Sequence, residues 1–547
     1  MKSFANSDIL FDRLSGLVFL VLAVILLITC RDYGYSYDEV WQNRYYGKAV
    51  VSFYVTLGVD DRATHYLDFY LFGGLYDAIS EMIAWLLPVD GHTTRRLINA
   101  LTGFVCLVGA WKTGRHMAGP KGGFWSLICL ASIPVFYGHM FINAKDIPVA
   151  TGTIWTLYFL IRAAENPLRV PNSLLIKLGL AMALALGVRI GTIILLAYAG
   201  LALIFGLTIY GRQNNGKYNF LSLLKAAALP RIIGLPLLVT FSMVTVFWPA
   251  FLVNPSVIFA ALDTSMRHPW GKTVLFKGAY VPSSDLPWDY LPVYIAVNLP
   301  DILTILAVPI LVWSMMASYR SWQRLHARQA VGWSLLLVAT LLPPLIIITQ
   351  QTMIYDGMRH MLFIVPPFAV LTGIALASWG EILARSRRGL RIVLVGSLSV
   401  YFLHHVFIMI QLHPYEYTFY NHFAGGMPRA ATQFETDYWI TSYREAALKI
   451  IDHAREIAEK EKVAFEKRPF TVGVIYVPEN LKPFLPGNFS VVEISKNKEV
   501  DFLVATTRWQ GDKMFPQWPI MDRVARLGMT FAVIQSRLLE RVSKPLP

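Results

Sequence analysis

The sequence predicts a mainly α membrane protein: a polytopic bundle of about eleven transmembrane helices with a small C-terminal α/β domain outside the membrane. Three observations carry this expectation. Of 547 residues, 55% are hydrophobic and 15% charged, against about 45–50% and about 25% in soluble domains. That balance excludes an ordinary soluble enzyme, and its hydrophobicity excludes a disordered chain. The apolar residues gather in runs near the ~20 residues that a bilayer crossing needs. The formal charge of +14 falls in alternate loops between those runs, as cytoplasmic loops require. A nucleic-acid partner is therefore not needed to explain the basic excess.

The first run, Ser15–Cys30, follows Asp12-Arg13 and lacks a small-residue cleavage site, so it reads as a retained helix. The next are Leu97–Lys112, Phe124–Tyr137, Ile147–Ile161, Leu174–Val188, Ile190–Tyr210 and Ile232–Trp248. Pro300–Ala317, Val331–Thr349, Met361–Gly380 and Ile392–Gln411 complete the set. Between them lie Lys112/Arg115/Lys121, Arg162/Arg169, Arg212/Lys217/Lys225/Arg231, Arg320/Arg324/Arg328 and Arg385/Arg387/Arg388/Arg391. With the N-terminus inside, every one of these clusters is cytoplasmic and the C-terminus is extracytoplasmic. Phe69–Leu87 is apolar, but Asp68, Asp77 and Glu81 make it costly at a bilayer centre. It reads as an interfacial or re-entrant helix.

The expected division is a membrane domain over residues 1–411 and an extracytoplasmic α/β domain over 412–547. The membrane domain has a first outer loop at 31–96 and a large outer loop at 249–299. In the second domain Ala446–Lys462 reads as a helix, with a capping box from Ser442 to Glu445. Phe470–Val477, Phe489–Ile494, Val500–Ala505 and Met529–Gln535 read as short buried strands. Cys30, Cys106 and Cys129 sit in or beside apolar runs without zinc-type spacing, so no disulfide framework and no metal site is expected.

The chemistry-bearing residues cluster in outer loops. The first loop opens Tyr33-Gly34-Tyr35-Ser36-Tyr37-Asp38-Glu39. A carboxylate in a partly dry site can take a proton from an acceptor hydroxyl or amine; the plainer reading is a solvated loop with interfacial aromatics such as Tyr37. The second loop holds Asn143-Ala144-Lys145-Asp146-Ile147-Pro148. Asp146 alone would be good helix capping, but a Lys-Asp pair in an apolar hairpin is less expected. Arg189, between Gly187 and Gly191, suits a lipid phosphate or simple snorkelling. Arg359 and His360, in Tyr355-Asp356-Gly357-Met358-Arg359-His360, are outer cations that need a reason. The run Arg267-His268-Pro269-Trp270-Gly271-Lys272-Thr273 is no P-loop, because Met266 stands where a glycine is required. Acids suit a base, and cations suit a phosphate. Outside the cell the activated sugar donor would have to be a lipid-linked phosphate.

The Asp38-Glu39 pair after the first run, the second-loop Asp146, the 355–360 stretch, His413-Pro414-Tyr415-Glu416-Tyr417 and Phe434-Glu435-Thr436-Asp437-Tyr438-Trp439 together resemble the GT-C superfamily. These are polytopic glycosyltransferases that use polyprenyl-phosphate sugars. Protein O-mannosyltransferases and lipid A aminoarabinose transferases are the groups most similar. The resemblance implies a GT-C-type fold with its site on the outer face. Asp38 would be the general base, Glu39 would shape the site, and Asp146 would position acceptor or base. Lys145, Arg189, Arg359 and His360 would hold the donor phosphate. Tyr37, Asp68 and His65 would contact substrate, although the His-Pro-Pro of many relatives is replaced here by His65-Tyr66-Leu67-Asp68. The expected activity is inverting transfer of a hexosyl or pentosyl group from a polyprenyl-phosphate donor to a glycan, lipid or protein acceptor. It needs no cofactor, leaves metal dependence open, and belongs in a bacterial inner membrane. A transporter or flippase of an anionic lipid or solute is the competing reading, and an interaction protein acting through its α/β domain is a third.

Overall fold

The computed structural model describes residues 2–87, 90–214, 223–224, 228–267, 270–385, 387–494 and 499–536; Lys217, Lys225, His268 and Pro269 lie outside the described residues. Among the described residues nine helices are long and apolar enough to cross a bilayer, from Asp8–Thr29 to Arg388–Leu412. The longest, Gly91–Ala131, breaks at Ala118 and Gly119, where Gly119 has φ +70°. A Cβ on Gly114 would meet the Gly122 carbonyl at 2.7 Å, and one on Gly123 would meet the Arg115 Cβ at 2.8 Å. Residues eight apart on a straight helix are ~12 Å apart, so the element is a tight antiparallel hairpin. Its turn carries Arg115 and Lys121 to the end of the bundle far from the sheet, where they pair with Asp12 at 2.8 Å and Glu381 at 3.1 Å. Asn172–Leu186 is a shorter apolar helix. Each apolar run read from the sequence falls on one of these helices; Phe124–Tyr137 is shared between the hairpin's second arm and the helix Pro134–Ile142.

Phe69–Leu87 forms a 3-10 turn, Phe69–Leu71, and a 12-residue helix, Leu75–Leu86. At 1.5 Å per residue that helix is ~18 Å long, short of a ~30 Å hydrocarbon core. Its acids face the protein. Glu81 pairs with Arg95, and Asp77 accepts from Gln42 Nε2 at 3.0 Å, all buried. Burial pushes the Asp77 carboxyl up to about 7, against the pull of Arg95.

The large loop contains a hairpin absent from the sequence reading, β1 (Thr273–Phe276) with β2 (Ala279–Pro282). The C-terminal part is a five-stranded mixed sheet of order β4-β3-β5-β7-β6. Its strands are β3 (Phe470–Val474), β4 (Phe489–Glu493), β5 (Phe502–Thr506), β6 (Ile520–Arg526) and β7 (Met529–Ser536). The parallel β3 pairs with both β4 and β5, while β7 runs antiparallel to β5 and β6. β6 escaped the sequence reading because it is an edge strand in which only Val524 is buried. The helix Tyr443–Lys460 packs on β5, β6 and β7.

The capping box does not form. Ser442 makes no side-chain cap, and Glu445 turns away to Arg526 at 2.6 Å. The helix start is held by Asp437, which accepts from Thr441 N at 2.9 Å and Ser442 N at 3.0 Å. A carboxylate four and five residues upstream of these donors satisfies N–H groups at the helix start as a cap would, and Glu445 gains a charge-assisted partner instead.

The sheet is tied to one end of the bundle. Tyr33 stacks on Phe141 at 4.2 Å and donates to Glu416 at 3.0 Å. Asn480 Nδ2 donates to the Ser36 carbonyl at 2.8 Å. Asn421 Nδ2 donates to the carbonyls of Ala296 and Leu299 at 2.7 and 2.8 Å. Gly34 permits the closest approach: a Cβ there would sit 1.9 Å from the Thr441 carbonyl oxygen. The first loop is thereby clamped between bundle and sheet, and Asp38 follows it by four residues.

Candidate active site

Asp38 and the Lys145-Asp146 pair meet. Lys145 Nζ lies 3.4 Å from Asp38 Oδ2, and Arg189 Nη2 lies 3.0 Å from Asp146 Oδ1. Local structure explains the aim of each. Asn143 Oδ1 accepts from the backbone N–H of Lys145 and of Asp146, at 3.1 and 2.8 Å, while its Nδ2 donates to Asp146 Oδ2 at 2.8 Å. This Asx-type closure fixes the hairpin and sends Lys145 toward the first loop, over the rings of Phe69 and Phe72 at 4.6 and 5.0 Å. Asp146 then opens the helix Asp146–Ala164, where a carboxylate is favoured by the dipole. Asp38 precedes a π-helical stretch, Val40–Tyr46, a feature frequent at functional sites.

A cavity of about 860 Å³ joins these groups between bundle and sheet. Tyr37, Asp38, Asp68, Lys145, Asp146, Arg189, Arg359 and His360 all line it, so most of the residues singled out in sequence share one space. Its bundle side is apolar, with Ile194 and Ala197 facing Pro343, Ile346 and Ile347. The sheet side adds groups the sequence reading gave no role. Asp356 Oδ1 accepts from Arg508 Nη2 at 2.8 Å, and Asp356 Oδ2 lies 3.3 Å from Arg359 Nη2. All three are buried, and Arg359 stacks over Tyr355 and Trp439. Asp356 stood in the 355–360 stretch, three residues before an Arg, and that spacing was the available signal for it. Arg508 follows an ordinary buried strand and carried none.

Two singled-out residues lie elsewhere. Glu39 is buried behind the wall, accepts from the Ser36 N–H at 3.1 Å and sits 3.7 Å from Arg96. Its neighbour takes the cavity side, because successive residues entering a helical turn point in different directions. His65 is exposed, contacts Thr64 at 3.2 Å and does not line the cavity. Among the described residues no group of three or more His, Cys, Asp or Glu stands together as a metal site.

The electrostatics favour an ionised carboxylate among cations. Burial pushes the Asp38 carboxyl up, but Lys145, Arg359 and Arg508 outweigh it and hold the group below the ordinary carboxylate range. The Nε atoms of Arg189, Arg359 and Arg508 are buried without a hydrogen-bond partner. An unmet buried donor costs about 1–3 kcal/mol. A pH prediction follows from the Asp38 neighbours. Activity that needs the carboxylate is lost as pH falls through the Asp38 pKa. Lys145→Met removes the largest lowering influence, so the acid limb of the rate–pH profile should move to higher pH. An unmoved limb would show that Lys145 does not tune this group.

Fold and site together define a polytopic membrane protein with an acid–cation cavity roofed by its own sheet domain. Residues 78–233 match the family model described as dolichyl-phosphate-mannose-protein mannosyltransferase. The chain thus resembles the GT-C glycosyltransferases, as its first two outer loops led us to expect. No curated protein matches the chain. Among solved structures, it is similar to ArnT from Cupriavidus metallidurans bound to undecaprenyl phosphate, at 14% identity over 97% of this chain and 99% of that one, TM-score 0.48. It is also similar to the archaeal oligosaccharyltransferase AglB from Archaeoglobus fulgidus in complex with an inhibitory peptide and a dolichol-phosphate, at 12% identity over 98% and 75%, TM-score 0.48.

Proposed function

We propose that the protein is an inverting glycosyltransferase that moves a sugar from a polyprenyl-phosphate donor to an acceptor hydroxyl or amine on the outer face of a bacterial inner membrane. The observation that carries this is the single cavity in which the Asp38 carboxylate, held below the ordinary range by its cationic neighbours, shares one space with Lys145, Arg189 and Arg359. Asp38 takes the acceptor proton as the nucleophile attacks the anomeric carbon from the face opposite the phosphate. Lys145, Arg189 and Arg359 hold the donor phosphate, with His360 beside them, and stabilise the charge that builds on it as it departs. Asp146 keeps Arg189 in place. The apolar wall of Ile194, Ala197, Pro343 and Ile347 suits the lipid end of the donor. In this reading the end of the bundle bearing the sheet is extracytoplasmic, and the pairs around Arg115, Lys121 and Arg328 are cytoplasmic.

Mass spectrometry of lipids and envelope glycans, in cells with and without the protein, tests the proposal. One glycan or lipid species should lose a sugar when the protein is absent, while a polyprenyl-phosphate sugar accumulates. Identical glycan and lipid profiles, with transport of a lipid by the purified protein in liposomes, would replace the proposal with the flippase reading.

A further inference from the structure

The cavity has a second cationic pole, Lys272 and Arg508, which takes no part in holding the donor phosphate. It lies at the mouth facing the sheet, where the β1–β2 hairpin meets the end of β5. Lys272 Nζ stands 4.4 Å from the Trp509 ring centroid and Arg508 Cζ stands 4.3 Å from the same centroid. The two cations also share the Tyr37 ring, at 6.0 and 5.9 Å. Trp509 is held across the gap by its Nε1–H, which donates to the Thr273 carbonyl at 2.9 Å. Trp509 and Gln510 both adopt positive φ, +49° and +57°, a strained pair of non-glycine residues of the kind that collects at ligand sites. Trp270 completes the wall, stacked on Tyr355 at 4.1 Å.

The charges at this pole do not balance. Asp356 is shared between Arg508 and Arg359. Glu435 also faces Arg508, but its Oε1 accepts from the Leu275 N–H at 2.8 Å and burial pushes its carboxyl up to about 7, so it is only partly ionised near neutrality. Lys272, exposed at the mouth, has no ion pair among the described residues, and partial desolvation beside Arg508 holds its ammonium below the ordinary range. The Arg508 Nε, in a side chain 4% exposed, lacks any partner. Two cations interleaved with indole and phenol faces suit a ligand that carries both sugar rings and an acidic group. The acid would bridge ammonium and guanidinium, with the sugar rings against the rim of the aromatic wall.

We infer that Lys272 and Arg508, with Trp270 and Trp509, form an acceptor subsite for an anionic glycan, one bearing a carboxylate or phosphate. The inference rests on the glycosyl-transfer reading and adds the acceptor's chemical class to it. It also gives the sheet domain a direct part in substrate choice, since Arg508 and Trp509 come from that domain.

The test is equilibrium binding to the purified full-length protein in detergent, at fixed ionic strength, with glucose, glucuronic acid and glucose 6-phosphate as probes. At least one acidic sugar should bind about tenfold or more tightly than glucose, a difference of about 1.4 kcal/mol. Lys272→Met should erase that preference, and Lys272→Arg should restore most of it. Saturation with undecaprenyl phosphate should leave the acidic sugar bound, because the donor occupies the other pole. Equal binding of acid and neutral sugars, no binding by any of them, or an unchanged preference in Lys272→Met overturns the subsite. Displacement by undecaprenyl phosphate overturns the acceptor assignment by giving these cations to the donor. The assay contains no sugar donor, so a protein that transfers nothing yet keeps the preference retains the subsite and loses only the transferase reading.

Discussion

Asp38→Asn should lower transfer by at least about 100-fold, within the range that a positioned general base contributes, while leaving the protein folded. Asparagine has nearly the same shape and can still accept a hydrogen bond from Lys145, which lies 3.4 Å away. What it lacks is the capacity to take the acceptor's proton. The wild-type group is suited to that task, because Lys145, Arg359 and Arg508 keep it ionised in its half-buried place. Transfer should be assayed with a lipid-linked sugar in detergent or liposomes, alongside thermal unfolding of the same preparation. Full activity in the folded variant would remove Asp38 from the base role. Loss of both activity and folding would instead make it a structural partner of Lys145.

Asp356→Asn should cost about 3–5 kcal/mol of stability, the typical penalty for removing one partner of a buried ion pair. Asp356 is the carboxylate shared by Arg359 and Arg508, and all three side chains are at most 4% exposed. Asparagine tolerates the left-handed backbone found here at φ +56°, so the substitution isolates the charge from the turn. Two buried guanidinium groups would then face each other's charge with less compensation. Because Arg359 precedes a bundle helix and Arg508 follows a strand of the sheet, the loss should appear first as loosened docking of the sheet. Limited proteolysis after about residue 430 and thermal unfolding would read it. An unchanged melting temperature would mean that Glu435 takes over as counter-ion.

Much of this architecture is readable from residue order because a bilayer imposes local rules. Burying unpaired backbone in hydrocarbon is so costly that spans must be continuous apolar helices. The runs and the alternating basic loops therefore mark the helices and place the acid-bearing loops at one end. Charge beside the apolar runs marked Asp38, Lys145 and Asp146 in the first two of those loops as candidates, since an acid or a cation there needs a partner, and the family resemblance supplied the roles expected of them. Glu39 was singled out by the same proximity and His65 by the family resemblance, and the fold sends both away from the cavity. Sequence spacing does not specify which way a side chain leaves a helical turn.

Other features depend on groups far apart in the chain. The hairpin at Ala118–Gly119 is legible as two apolar runs parted by Lys112, Arg115 and Lys121, but how closely its arms pack shows only in the glycine contacts. The pairing of Arg508 with Asp356 spans 152 positions, and nothing local to either residue announces it. The same holds for Lys272 and Arg508, which meet over Trp509 because the β1–β2 hairpin docks there. Periodicity, apolar length and loop charge are properties of neighbours in sequence, so the sequence by itself determined the membrane bundle, the small sheet domain and the loops where chemistry gathers. Which charges share a carboxylate, and which stay unmatched around a cavity, depends on how distant segments pack, and only the tertiary structure decided that.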